Sequence, residues 1–111
     1  MALKSLTEDR VDRAMHTLAE TDAEVADAKV AVLRSEMKAK SIEAVIYAAL
    51  TGSIEDRKQA VRLDPRFEAA WEDHFKAVAL HERLKNYRER EVLVIELYRS
   101  VLSARKSGMN V

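Results

Sequence analysis

Six apolar residues recur at intervals of seven through the first half of the chain: Val11, Leu18, Val25, Val32, Ala39 and Ile46. Three residues after each of them runs a second register, Ala14, Thr21, Ala28, Ser35, Ile42 and Ala49, composed almost entirely of small residues. A repeat of seven is close to two turns of α-helix, so both registers stay on one face and keep meeting the same neighbour. A strand, whose faces alternate every second residue, cannot carry this pattern. The pattern therefore calls for a long helix lying close against another helix.

The limits of the helices follow from local chemistry. Ser5 and Glu8 have the spacing of a capping box, and nothing breaks the pattern before Thr51-Gly52-Ser53. The first helix is thus expected over about 6–50, roughly 65–70 Å at 1.5 Å per residue, with Gly52 as its left-handed cap. Ser53 caps a short second helix, about 54–62, whose apolar face is Ile54, Ala60, Val61 and Leu63. Asp64-Pro65 opens a third, about 65–105, because proline at the first helical position forfeits no hydrogen bond. Its predicted seam is Ala77, Leu80, Leu84, Tyr87, Glu91, Val94, Tyr98 and Val101. Two long helices joined by a short connector predict an all-α, coiled-coil-like antiparallel hairpin, one helical domain over 1–111. Residues 39–50 should lie beside 67–80, and 11–25 beside 94–105. Glu91 interrupts the apolar seam and needs a cation, for which Lys29 is the expected partner.

Composition excludes several function classes. Nineteen basic and nineteen acidic residues give a formal net charge of zero, so the chain as a whole exerts no long-range pull on nucleic acid or an anionic membrane. No cysteine is present, which removes thiol chemistry and suits a reducing compartment. Met1-Ala2-Leu3-Lys4-Ser5 lacks an apolar signal core, and no run approaches the roughly 18 apolar residues of a membrane span. The expected location is the cytoplasm.

Chemistry-bearing residues are scattered. His74 and His81 lie one heptad apart, but none of their neighbours three or four residues away is a metal ligand. His16 stands four residues from both Asp12 and Glu20, a spacing that suits solvated ion pairing. Glu55, Asp56 and Asp64 cluster at the connector, where capping accounts for them. Ser41, Ser53, Ser100 and Ser103 have no adjacent base, and no phosphate-binding glycine loop occurs. The reading is a non-enzymatic protein with no cofactor, metal or small-molecule substrate.

Residues 92–102 are apolar on nearly every face, more than one hairpin seam can cover. Val92, Ile95 and Leu102 form a second stripe, and Leu93 and Leu97 a third. At about 25 cal/mol per Å² of apolar area, leaving them wet forfeits several kcal/mol. Self-association through Val92, Ile95, Leu97 and Leu102 is the expected remedy, a dimer being favoured. The alternative partner is nucleic acid, through Arg83, Arg88 and Arg90 around Tyr87, and through Arg99, Arg105 and Lys106. Glu82, Glu89, Glu91 and Glu96 dilute that patch, so phosphate contact would be weak and salt-sensitive.

Two resemblances bear on function. Ala60, Pro65 and Trp71 agree with the junction between tetratricopeptide repeats. Phe75, however, occupies the place of that repeat's glycine, and no period of about 34 residues recurs. Residues 30–106 instead resemble small helical proteins of phage and prophage early regions, found near single-strand annealing or recombination genes. The likeness rests on a Lys/Glu-rich helix ending in Thr51-Gly52-Ser53, then Glu55-Asp56-Arg57-Lys58, the corner at Asp64, a heptad helix and Tyr98-Arg99-Ser100. It implies a genomic setting rather than a mechanism; the hairpin itself suggests a binding or scaffolding protein, and the sharper expectation is a phage accessory factor that attaches to a DNA-processing protein of the phage or its host.

Overall fold

The computed structural model describes residues 6–108. They form three helices, α1 (Glu8–Ala48), α2 (Ile54–Leu63) and α3 (Pro65–Lys106), with no strand among them. Helix α1 packs against α3 as a hairpin, and the short α2 lies between them in the chain.

Each helix end has a local cause. Thr7 caps α1: its Oγ1 accepts the Arg10 N–H at 3.1 Å, and Glu8 and Asp9 complement the positive end of the helix. Ser5, the cap expected from sequence, lies outside the described residues. At the other end, Ala49 and Leu50 donate backbone N–H groups to Ile46 and Tyr47 at 3.2 and 3.1 Å, tightening the last turn. Gly52 follows with φ of 114° in the turn itself, so it shapes the connector without capping α1. Ser53 Oγ accepts the Asp56 N–H at 3.1 Å and starts α2. Asp64 ends α2 and starts α3: its N–H donates to Val61, while its Oδ1 accepts the Arg66 N–H at 2.8 Å.

Contacts divide the chain into two units, the first formed by residues 6–25 and 83–108, the second by 26–82. In the first, Leu6, Val11, Ala14, Val94 and Val101 form a buried cluster, with Ile95 and Tyr98 packed against it. In the second, the buried apolar residues are Ala28, Ala39, Ile46, Val61 and Ala70. The two α1 registers are the inward face throughout; only Ala49, just past the helix, is exposed.

The α3 seam differs from expectation. Leu80 and Tyr87 are exposed, and the polar residues His81 and Arg88, one position further on, take the inward places. The alignment of the helices is also displaced. Arg88 reaches Leu18 and Thr21 in the first unit, and His74 reaches Ser35 in the second, about two turns from the predicted pairing. In the second unit the cause is visible. Helix α2 packs on the last turns of α1, with the Arg57 guanidinium 4.6 Å from the centre of the Tyr47 ring. Arg66, at the start of α3, accordingly lines a cavity with Ile42 and Val45 instead of lying near Leu50.

Candidate interaction surface

The hairpin faces are joined by hydroxyls that face both ways. Thr21 Oγ1 donates to the Thr17 carbonyl at 2.7 Å and accepts from Arg88 Nη1 at 2.7 Å. Arg88 Nη1 also donates to the Leu18 carbonyl at 2.7 Å, and Nη2 lies 3.5 Å from Asp22. Ser35 repeats the arrangement two heptads along α1, donating to the Val32 carbonyl at 2.9 Å. Its Oγ also lies 2.9 Å from His74 Nδ1, a hydrogen bond that joins α1 to α3.

Glu91 is buried, at 8% exposure, and its partner is Arg10, not Lys29. Arg10 Nη1 donates to Oε2 at 2.8 Å and Nη2 to Oε1 at 3.0 Å, a two-pronged pairing. The carboxylate raises the Arg10 pKa, principally through these hydrogen bonds. Lys29 belongs to the second unit and Glu91 to the first. Nothing in the sequence around Arg10 singles it out; only the register does.

The same stretch of α3 presents the apolar residues read from sequence. Val92, Leu93, Leu97 and Leu102 are 40%, 54%, 41% and 37% exposed. Ile95 is less exposed than these, half-buried against the core cluster. Leu93 and Leu97 flank a cavity of about 290 Å³ that Arg10, Arg90, Glu91 and Val94 also line. Apolar walls and an arginine–carboxylate pair thus share one groove. Packed against the core cluster, the Tyr98 hydroxyl has a raised pKa, first from burial and then from the negative charge and hydrogen bond of Glu8.

The basic residues separate into two groups. Arg88 is half-buried and turned to Leu18, Thr21 and Asp22 of α1. Arg83, Arg90, Arg99, Arg105 and Lys106 are exposed. Arg90 lies 6.0 Å from the Tyr87 ring centre, and Arg105 and Lys106 occupy the last turn of α3, where cations favour the helix end.

Elsewhere, Phe67, Trp71, His74 and Phe75 make a run of aromatic contacts, with the Trp71 and His74 rings edge-on at 5.4 Å. His16 Nε2 lies 2.9 Å from Glu20, the expected surface pair. A cavity of about 490 Å³ is lined by Lys40, Glu43, Tyr47, Lys58 and Arg62 among others. Among the described residues no three metal-ligating side chains converge, and no helix is long and apolar enough to cross a membrane. The chain matches no protein-family model, no curated protein and no solved structure.

Proposed function

We propose that the protein is a non-enzymatic helical binding or scaffolding protein of the cytoplasm that self-associates through the C-terminal half of α3. The observation that carries this reading is the exposure of Val92, Leu93, Leu97 and Leu102, Val92 and Leu102 on one flank of the packed face of α3 and Leu93 and Leu97 on the other. Several large apolar side chains left exposed along one short stretch of helix favour a protein partner. The likeness to small phage early-region proteins supplies the setting, in which the assembled protein attaches to a DNA-processing protein of the phage or its host.

The test changes Leu97 and Leu102 to Asp together; both are exposed, so the fold should survive, whereas Ile95→Asp would strike the core. Light scattering should report an oligomer for the original chain and a smaller species for the variant, at unchanged helix content. A single mass for both chains would refute the reading.

A second reading is direct nucleic-acid binding. It draws on Arg83, Arg90, Arg99, Arg105 and Lys106, all exposed and, among the described residues, in no ion pair. Mobility shifts over a salt series test it, since phosphate contacts make log affinity fall by roughly 0.7–0.9 per contact for each decade of salt. No shift at low salt would exclude it.

A further inference from the structure

Opposite its buried face, α1 carries another apolar stripe. Ala26, Val30, Leu33 and Met37 follow one another at steps of four, three and four, the spacing of a coiled-coil seam. They lie in the second unit and turn outward: Val30, Leu33 and Met37 are 43%, 54% and 69% exposed, and Ala26 is exposed as well. Charged residues border the stripe in a definite order. On one side stand Asp27 and, a heptad later, Arg34; on the other stand Lys29 and, a heptad later, Glu36. Among the described residues Asp27, Lys29 and Arg34 form no ion pair, and Glu36 meets only Lys40, at 3.2 Å on its own helix.

We infer that this outer face of α1 is a self-association seam whose occupant is a second copy of the chain, lying antiparallel. With Val30 facing the other copy's Leu33, Ala26 faces its Met37, so a small residue receives a long one in each outer layer. The same alignment sets Asp27 beside the other copy's Arg34, and Lys29 beside its Glu36. Two-fold symmetry repeats both contacts, giving opposite charges at every bordering position of the apolar stretch. A parallel, in-register pair would place Lys29 beside the other copy's Arg34, two like charges. The charge order therefore selects both the occupant and its direction. Lys40 then enters a seam position, which confines the seam to about two heptads and makes the association weak. This surface is separate from Val92, Leu97 and Leu102, and the inference does not rest on their role.

The experiment uses the full chain carrying Leu97→Asp and Leu102→Asp, so that the α3 face is removed, and measures association by sedimentation equilibrium. This chain should still dimerise. Adding Arg34→Asp, which turns two attractive contacts into repulsive ones, should weaken dimerisation by about tenfold or more. Adding Asp27→Arg to that variant restores opposite charges across the two-fold axis and should return the affinity to near its starting value. A chain monomeric at every concentration once Leu97 and Leu102 are changed would overturn the seam while leaving the α3 reading intact. An affinity indifferent to Arg34→Asp, or a charge swap that fails to restore it, would overturn it equally.

Discussion

Replacing Arg10 by Met removes the partner of the buried Glu91 carboxylate in the first unit. Glu91 is 8% exposed and accepts two hydrogen bonds from a single guanidinium, at 2.8 and 3.0 Å. Removing one partner of a fully buried pair costs about 3–5 kcal/mol, because the remaining charge stays desolvated. The Arg10 side chain is 30% exposed, so water can reach part of the vacated space and the loss should fall to about 2 kcal/mol, still above the range of exposed pairs. For a chain of this length that is a fall in melting temperature of roughly 6–10 °C. Urea denaturation followed by helix content, at neutral pH, measures it. The reasoning assigns the loss to an unpartnered carboxylate and not to a missing attraction. Adding Glu91→Leu to Arg10→Met should therefore recover most of it, since an apolar pair of similar volume is often as stable as a buried ion pair. A loss under about 0.5 kcal/mol for Arg10→Met, the scale of ordinary surface changes, would refute the burial argument. A double variant no more stable than the single one would refute the desolvation argument.

Four further outcomes are expected. Ala39 is fully buried on the α1 seam, so Ala39→Leu should lower unfolding stability by about 1–3 kcal/mol through overpacking, while Leu at exposed Ala44 should change it little. Ser35→Ala, by removing the hydroxyl that lies 2.9 Å from His74 Nδ1, should cost about 1 kcal/mol in urea denaturation; an unchanged midpoint would contradict a bond between the helices there. Tyr98 should titrate above the ordinary phenol value of 10.0, chiefly because it is desolvated and then because of Glu8. Its neutral form favours folding, so that contribution is whole below the unfolded phenol pKa and disappears as pH rises through the folded one; Glu8→Gln should reduce the shift without abolishing it. Asp64 should titrate below 3.8, held down first by the Arg66 side chain and then by the Arg66 backbone N–H. Its contribution is present above the unfolded carboxyl pKa and is lost as pH falls through the folded one, and Arg66→Ala should raise the titration seen by carbon NMR.

Periodicity in this chain reported faces but not alignment. Sliding one helix along its partner by about two turns returns similar faces to each other, so the heptads of α1 are satisfied by more than one register. What fixes the register is chemistry that a hydrophobic pattern does not weigh. Thr21 and Ser35 stand two heptads apart on α1, and Arg88 and His74 stand two heptads apart on α3. Within the first unit Arg88 meets Thr21, and within the second His74 meets Ser35, a polar partner for each hydroxyl. Read by size alone, Thr21 and Ser35 were merely small, and Arg88 was merely basic. The outward residues show the same contrast. Val92, Leu97 and Leu102 were legible because 92–102 holds more apolar side chains than one seam can hide, yet Ile95 could not be told from them without the position of the Leu6–Val101 cluster. The stripe from Ala26 to Met37 is masked in the sequence, since it shares α1 with a stronger inward pattern and stands out only once that pattern is buried. In a helix with two apolar faces, the polar residues at seam positions carry the register information. Thr21→Val, which keeps volume but removes the acceptor for Arg88, should accordingly loosen the alignment of the first unit more than its modest loss of stability would suggest.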